Sequence, residues 1–328
     1  MGKILEVKNL TVHIKTHKGV VQAVRGVDFY LNEQETLAVV GESGSGKSIT
    51  MKGVMGILPK NGKVVEGSVM FQGNDLTKYS ERQMQQVRGS EIAMIFQDPM
   101  TSLNPTMKVG KQIEEMLKEH RKEMSKADRK ARAIELLSLV GISNPEARYD
   151  QYPHQLSGGM RQRVVIAIAL ACDPKVLIAD EPTTALDVTI QAQILDLMKK
   201  IQEEKGMSIL MITHDLGVVA EMCTRAIVMY AGEIVEEAPI DELFNAPQHP
   251  YTKGLIASVP KLGSGVKVLP SIPGSVPDLS SLPSGCRFAP RCKYATEKCR
   301  AGKPELFEVG ENHYSRCWLA SEDRKGEK

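Results

Sequence analysis

The N-terminal part of the chain alternates apolar and polar residues in short β-branched runs. Val20–Val24, Val27–Leu31 and Val64–Phe71 all show this pattern. A period of two is typical of strands with one buried face, and antiparallel sheets commonly have such a face. The pattern therefore predicts an N-terminal antiparallel β subdomain.

Further along, short apolar runs are separated by a helical stretch. Val176–Ala179 and Ser208–Ile212 are strand-like, and Ile190–Glu204 between them has helical periodicity. Strands joined by a crossover helix are typical of a parallel sheet that is covered on both faces. We therefore predict an α/β fold with a parallel sheet.

Helical patterns also predict a helical subdomain, inserted at about residues 100–165 of the α/β domain. Val109–Gly141 is helical, and its mixed charges are typical of a solvated helix face. Ser48–Leu58 predicts another helix, which Pro59 ends. Val164–Cys172 is apolar but about half as long as a membrane helix requires, so we expect a buried helix there.

The composition changes after Pro260. Lys261–Gly285 is rich in Pro, Gly and Ser, which predicts a linker or an extended chain on a surface. We therefore expect an α/β domain over residues 1–260 and a small Cys-rich extension over residues 261–328.

Charge adds little to this picture. The 328 residues include 42 basic and 40 acidic ones, which leaves a net charge of +2. This balance gives no reason to expect nucleic acid as a partner. The N-terminus lacks the charged and apolar pattern of a signal peptide, so we expect the chain in the cytoplasm.

A glycine-rich loop, Gly41–Ser48, follows the apolar run Leu37–Val40 and precedes the helix predicted from Ser48. In this context the loop amides can surround phosphates, Lys47 can reach the β and γ phosphates, and Ser48 can bind Mg²⁺. The sequence therefore predicts a nucleoside triphosphate site. The predicted ATP-binding residues of this segment are Gly41, Ser43, Gly44, Ser45, Gly46, Lys47, Ser48 and Ile49.

Polar residues end three of the predicted strands. Asp180 and Glu181 follow Val176–Ala179, where Asp180 can bind Mg²⁺ and Glu181 can orient or deprotonate the attacking water. Gln97 and His214 end two other strands and are candidate sensors of metal, water and γ-phosphate. The predicted catalytic residues are Glu181, His214 and Gln97, and the predicted Mg²⁺ ligands are Ser48, Gln97 and Asp180.

A second candidate anion site lies at the start of another predicted helix. It comprises Leu156, Ser157, Gly158, Gly159 and Met160, whose exposed amides and hydroxyl suit a phosphate. One chain thus carries two candidate γ-phosphate sites.

These motifs, in this order, resemble those of the ATP-binding cassette (ABC) family. The resemblance covers residues 1 to about 260 and rests on Gly41–Ser48, Gln97, Leu156–Met160, Asp180–Glu181, Ala185–Asp187 and His214. It implies an ATPase that acts as a head-to-tail dimer, in which each ATP lies between one phosphate loop and the other subunit's Leu156–Met160 signature.

The resemblance also implies roles for single residues. Ser157 and Gly159 would act on the partner's ATP, and Asp187 would contact the partner. His214 would hold the γ-phosphate and the catalytic water, and Gln97 would link the nucleotide to the helical insertion. The adenine base would meet His13 and Ile14, although the family usually has an aromatic residue at position 14.

Three further segments resemble the ATP-binding subunits of dipeptide and oligopeptide importers. They are Asp98–Pro105, His249–Thr252 and Ile272–Gly274. The resemblance implies a peripheral protein at the cytoplasmic face of the membrane. Its partners would be a second cassette, two integral membrane permease subunits and an extracytoplasmic peptide-binding protein.

The sequence leaves other functions to consider, of which a nucleotide-dependent regulator without turnover is disfavoured by Glu181. Importers of nickel or of other solutes use very similar cassettes. A soluble ABC ATPase outside transport is a different class, but such proteins usually have two cassettes or a long coiled coil, and this chain has neither.

The six cysteines fall into two groups. Cys172 and Cys223 lie in apolar elements and are predicted core residues. The other four cluster in the extension, where a reducing cytoplasm disfavours disulfides and a metal site is expected. The irregular spacing, without Cys-x-x-Cys pairs, suits a [4Fe-4S] cluster at least as well as zinc. Resemblance to related importers favours the cluster, and zinc or free thiols are the alternatives. The predicted ligands are Cys286, Cys292, Cys299 and Cys317.

Overall fold

The computed structural model describes residues 2–17, 19–184, 186–259 and 271–321. The chain forms two compact units. The first unit comprises residues 1–2, 32–35 and 78–211, and the second comprises residues 3–31, 36–77 and 212–328. Residues 261–270 of the predicted linker, Lys261–Gly285, lie outside the described residues, and its part from Ser271 onward contains no helix or strand.

The strands are β1 (Lys3–Thr16), β2 (Gly19–Asn32), β3 (Thr36–Val40), β4 (Gly62–Phe71), β5 (Asn74–Asp75), β6 (Ile92–Ile95), β7 (Val176–Asp180), β8 (Ser208–Thr213), β9 (Arg225–Tyr230), β10 (Glu233–Pro239), β11 (Phe307–Gly310) and β12 (His313–Ser315). The α-helices are α1 (Lys47–Val54), α2 (Glu81–Val87), α3 (Pro99–Ser102), α4 (Val109–His120), α5 (Lys126–Leu139), α6 (Pro145–Tyr149), α7 (Gly158–Ala169), α8 (Val188–Lys205), α9 (Leu216–Met222), α10 (Ile240–Asn245), α11 (Pro250–Ala257) and α12 (Glu297–Ala301).

The second unit contains the predicted antiparallel sheet. Its strand order is β2-β1-β4-β5, and β4 pairs antiparallel with both β1 and β5. The two runs predicted between Val20 and Leu31 form one continuous strand, β2. The register of β1 against β4 runs from Leu5↔Phe71 to Ile14↔Gly62.

A second sheet segment of this unit has the order β11-β12-β10-β9-β3. Only the β3–β9 pair in it is parallel, so the prediction of a parallel sheet is wrong here and the sheet is mixed. The cause is local. Ala231 and Gly232 join β9 to β10 with φ angles of 48° and 83°, and two such residues make the tight turn that only antiparallel neighbours can use.

Helix α1 is shorter than predicted. The pattern from Ser48 to Leu58 suggested a helix that Pro59 ends, but α1 ends at Val54. Gly56, with φ 62°, takes the left-handed conformation that commonly follows a helix. The glycine therefore ends the helix before the proline is reached.

The described part of the C-terminal extension, residues 271–321, is called the tail below, and it adds β11 and β12 to the sheet of this unit. β12 pairs with β10 through Glu236↔Ser315. Glu236 is fully buried, and its carboxylate accepts hydrogen bonds from the backbone N–H groups of Gln248 at 2.6 Å and His249 at 2.9 Å. His313 Nε2 lies 2.8 Å from the same carboxylate. The tail is thus fixed to the sheet by both backbone pairing and a buried polar network.

His249 gives this network a predictable response to pH. Its Nδ1 accepts a hydrogen bond of 3.1 Å from Tyr251 N at the start of α11, which requires a neutral ring. Burial lowers the pKa of His249 from 6.5 to about 4. Because the folded-state pKa is depressed, the stabilisation is complete above the unfolded-state pKa and is lost as the pH falls.

We therefore expect the free energy of unfolding to fall by about 2 kcal/mol between about pH 7 and about pH 5 through this residue alone. The His249→Asn variant keeps a capping acceptor that does not titrate, so it should lack this part of the slope. Urea titrations at both pH values measure it, with exposed His17→Asn as the control. Equal slopes for His249→Asn and the parent protein would contradict the assignment.

The first unit contains the strand order β8-β7-β6, with β6 and β7 parallel. Helix α8 lies between β7 and β8 in the chain, as predicted. In chain order, helices α3 to α7 follow β6 and precede β7. The helix predicted over Val109–Gly141 is divided into α4 and α5. The break is explained by Ser125 and Asp128, which form a capping box that starts α5.

The apolar run Val164–Cys172 is buried except for half-buried Ile168, and its helical part ends with α7 at Ala169, three residues earlier than predicted. Cys172 and Cys223 are buried core residues, also as predicted. Among the helices of the described residues, none combines the length and the hydropathy needed to cross a bilayer.

Candidate functional site

The phosphate loop lies in the second unit, between the fully buried strand β3 and α1. Gly41, Gly44 and Gly46 have φ angles of 151°, 80° and 101°. A Cβ atom on Gly41 would lie 2.3 Å from the carbonyl oxygen of Met229. Glycine is therefore required at Gly41 both by backbone conformation and by space.

The loop holds a buried cation. Lys47 is 7% exposed, and its Nζ donates hydrogen bonds to the carbonyl oxygens of Gly41 at 2.7 Å and Glu42 at 3.0 Å. Ser45 Oγ is buried and has no hydrogen-bond partner within the described residues. A buried hydroxyl without a partner is costly unless a ligand satisfies it. Together with the ammonium group, it makes the loop suited to an anion.

The remaining predicted residues of this segment are more accessible. Ser43 and Gly44 are exposed, whereas Ser48 and Ile49 are half-buried in α1. His13 and Ile14 lie half-buried on β1, opposite Lys63 and Gly62 of β4. The contact of His13 and Ile14 with adenine stays a prediction.

In the first unit, the register of β6 and β7 brings Gln97 and Glu181 together. Ile95 pairs with Ala179, and each candidate lies two positions beyond its strand's member of that pair. Gln97 Nε2 donates a 2.9 Å hydrogen bond to Glu181 Oε2. Thr184 Oγ1 donates a second, also at 2.9 Å, to the same oxygen. One carboxylate oxygen is thus held by two neutral donors.

The backbone supports this placement of Glu181. Its φ angle is 49°, in the left-handed region, which is strained for a residue with a side chain and costs on the order of 1–3 kcal/mol. Such strain is found preferentially at functional sites. Asp180, the residue before it, is 4% exposed at the end of β7.

The predicted signature forms the N-terminus of α7. Leu156 is buried, and Ser157 is the exposed N-cap, whose Oγ accepts a 3.3 Å hydrogen bond from Met160 N. A Cβ atom on Gly159 would lie 2.7 Å from Ile190 Cγ2, so this glycine permits close packing against α8. Gly158 is exposed.

Asp187 and His214 are both exposed, one in each unit. Asp187 caps α8 by accepting a 2.9 Å hydrogen bond from Ile190 N. His214 precedes Asp215, which caps α9 in the same way. The structure thus assigns Asp187 a local role that the sequence did not suggest, and its contact across a dimer stays a prediction.

Two residues that support these sites could not be predicted from the sequence, Thr184 and Gln162. Thr184 holds Glu181, and Gln162 of α7 donates a 2.6 Å hydrogen bond to the carbonyl oxygen of Pro182 in the loop after β7. Neither lies in a pattern with a chemical meaning of its own. Their contacts become apparent only from the register of β6 against β7 and from the position of α7 beside the loop after β7.

The four tail cysteines are free thiols. The described residues contain no group of three or more His, Cys, Asp or Glu side chains arranged to hold a metal ion. Burial raises the pKa of Cys286 and Cys292, and it raises the pKa of Cys317 to about 12. The structure gives no support to the predicted metal site.

Comparison with known proteins gives the class of this chain. The family model described as "ABC transporter" matches residues 24–184, and the model described as "Oligopeptide/dipeptide transporter, C-terminal region" matches residues 235–299. The solved dimeric structure of the ATP-binding cassette MJ0796 with ADP and Pi superposes with a TM-score of 0.65 at 31% identity, over 72% of this chain and 98% of that one.

Two relatives match along nearly the whole chain. The oligopeptide transport ATP-binding protein OppD of Bacillus subtilis is 58% identical, over 98% of this chain and 90% of its own length. The dipeptide transport ATP-binding protein DppD of Lactococcus lactis is 56% identical, over 97% and 91%. The chain therefore belongs to the ABC transporter family, in its group of oligopeptide and dipeptide transport ATP-binding proteins.

Proposed function

We propose that this chain is the ATP-hydrolysing subunit of an importer of dipeptides or oligopeptides. The observation that carries the ATPase assignment is Glu181, a strained strand-end carboxylate held by Gln97 and Thr184. The peptide assignment is supported by the two relatives, whose similarity extends through the C-terminal region.

The residues of the chain divide the chemistry between them. Lys47, Ser45 and the loop amides bind the phosphates, since a phosphate oxygen can replace the loop carbonyls as acceptor of the Lys47 hydrogen bonds. Glu181 accepts a proton from the attacking water, and Gln97 keeps its carboxylate in position.

Magnesium is expected with the nucleotide. The donors on this chain are the Ser48 hydroxyl, the Gln97 amide oxygen and the Asp180 carboxylate, all oxygen ligands of the kind that Mg²⁺ prefers. Bound Mg²⁺ would neutralise charge on the phosphates.

The working unit that we propose is a head-to-tail dimer with a second, homologous cassette. Ser157 and Gly158 are exposed at the N-terminus of α7, where backbone N–H groups and the helix dipole suit a partner's γ-phosphate. In this arrangement Leu156, Gly159 and Met160 complete the signature. Asp187 contacts the partner cassette, and His214 holds the γ-phosphate and the catalytic water.

The remaining partners follow from the transport role. Two integral membrane permease subunits would dock beside the Gln97 segment and the helical insertion, and an extracytoplasmic peptide-binding protein would deliver the cargo. The chain itself would lie at the cytoplasmic face of the membrane as a peripheral subunit.

A tail metal centre would be held by Cys286, Cys292, Cys299 and Cys317. Its support is the clustering of four cysteines in one short segment of the chain. Iron and sulfide analysis of protein purified without air decides the matter. Colourless protein without iron rejects a [4Fe-4S] cluster, and zinc analysis of the same sample tests the alternative ion.

Co-purification tests the proposed function as a whole. We expect an affinity tag on this chain to recover two integral membrane proteins and a second cassette from detergent-solubilised membranes. ATP hydrolysis by that complex should increase when a binding protein loaded with peptide is added, and it should not respond to nickel. Recovery of the chain without membrane proteins would support a soluble ABC ATPase instead.

A further inference from the structure

Glu42, the acidic residue of the phosphate loop Gly41–Ser48, is held from three directions. Its backbone N–H donates a 2.7 Å hydrogen bond to Tyr251 Oη of α11. Its carbonyl oxygen accepts hydrogen bonds from Lys47 Nζ at 3.0 Å and Ser45 N at 3.2 Å. Its side chain contacts the C-terminal tail. The conformation of the loop is therefore tied to groups far along the chain.

The tail contact is a two-point ion pair. Arg291 donates from Nη1 to Glu42 Oε2 at 2.7 Å and from Nη2 to Glu42 Oε1 at 3.0 Å. The Arg291 side chain is 5% exposed, and its Nε donates a 2.9 Å hydrogen bond to the carbonyl oxygen of Pro273. Tyr230 and Phe288 pack against each other beside the guanidinium group. These contacts hold the Arg291 guanidinium group in place independently of its ion pair with Glu42.

This ion pair bears on nucleotide binding because Glu42 lies in the phosphate loop, close to Lys47 in the chain. A carboxylate in a loop that binds phosphates repels the ligand and offers Lys47 a competing anionic partner. Arg291 neutralises that carboxylate with a planar fork that matches its geometry. The loop can then present Lys47 and its amides to phosphate without opposition from Glu42.

We propose that Arg291 is a positioning residue for ATP binding, through which the C-terminal tail sets the affinity of the phosphate loop for nucleotide. The inference rests on the proposed ATP site. Because coupling between two sites is reciprocal, ATP bound at the loop also stabilises the docked tail.

The test is a two-residue cycle read by ATP affinity and by kinetics. Arg291→Ala should weaken ATP binding about tenfold and raise KM by the same factor, within the usual range of such coupling. The kcat of the complete transporter should stay within about twofold, since Glu181 is unchanged. Binding is measured by titration with a fluorescent ATP analogue in the purified full chain.

The Glu42→Gln substitution distinguishes two roles of Arg291, namely neutralising the charge of Glu42 and holding the tail in place. If Arg291 acts by neutralising Glu42, the double variant Glu42→Gln, Arg291→Ala should bind ATP within about threefold of the parent, because no charge is left uncompensated. If the double variant binds as poorly as Arg291→Ala, the proposal is overturned. Arg291→Lys keeps the charge but not the planar fork, so its ATP affinity should lie between those of the parent and Arg291→Ala. If Arg291→Ala does not fold, Arg291→Lys takes its place in the cycle.

Arg287→Ala is the matched control. Arg287 is a tail arginine that pairs with Glu233 of β10, with Nε 3.7 Å from the carboxylate. Its removal should leave ATP affinity within about twofold, and a loss equal to that of Arg291→Ala would show a general effect of tail charge. Failure of the parent chain to bind ATP rejects the proposed function. Normal binding by the parent and by Arg291→Ala alike rejects only this inference.

Discussion

The variant Glu181→Gln should bind ATP but hydrolyse it at least about 100-fold more slowly than the parent, because general-base catalysis typically contributes 10² to 10⁴ in rate. The substituted amide is nearly the same shape and can still accept the hydrogen bond from Thr184. It cannot take a proton from water. The loss should therefore appear in kcat, with ATP affinity little changed.

Phosphate release by the purified transporter at saturating ATP measures this effect. Glu203→Gln on α8 makes the same chemical change at an exposed position of the same unit and should leave turnover within about twofold. Turnover by Glu181→Gln that equals the control would remove Glu181 from the catalytic role and leave its strained backbone without an explanation.

The variant Lys47→Ala should lose ATP affinity by about 100-fold or more. Lys47 presents a buried ammonium group that already makes two hydrogen bonds within the loop. Hydrogen bonds to charged groups contribute about 1.5–3 kcal/mol each, and loss of about 3 kcal/mol corresponds to that factor. Here the defect lies in binding, so hydrolysis should recover in part at high ATP.

Titration with the fluorescent ATP analogue gives the dissociation constants. Lys52→Ala removes a half-buried lysine near the end of the same helix, α1, and controls for charge and helix content. We expect Lys52→Ala to bind ATP within about twofold of the parent. Similar affinities for the two alanine variants would contradict the placement of phosphate at the Gly41–Ser48 loop.

The local features of the candidate site could be predicted from the sequence. The order of an apolar strand, a glycine-rich loop and a helix defines Gly41–Ser48 without knowledge of the fold, because the chemistry is contained in consecutive residues. Gln97 and Glu181 could be proposed individually as strand-end residues. Their hydrogen bond depends on the register of β6 against β7, which no local pattern encodes.

Contacts between distant parts of the chain could not be predicted. Glu42 and Arg291 are 249 positions apart, and the pairing of β12 with β10 likewise joins the tail to the sheet. In the sequence Arg291 is only a neighbour of Cys292, which gives no sign of a contact with the phosphate loop. In the structure its charge is directed to the phosphate loop instead.

Turn chemistry explains the errors in the fold. The parallel sheet was expected from strands separated by helices, but β9 and β10 are joined by a two-residue turn at Ala231 and Gly232. The composition of that turn carries a weak signal, since one of its two residues is not glycine. Similarly, Gly56 ends α1 before Pro59, the stronger signal in the sequence.

ATP-dependent peptide uptake tests the central claim most directly. The transporter, purified through a tag on this chain and reconstituted in vesicles, should accumulate a labelled oligopeptide when its binding protein and ATP are supplied on opposite sides of the membrane. We predict that peptide uptake requires ATP, and that the Glu181→Gln substitution lowers the rates of uptake and of ATP hydrolysis by the same factor. Uptake that persists undiminished in that variant, or hydrolysis by the parent that moves no peptide, would contradict the account.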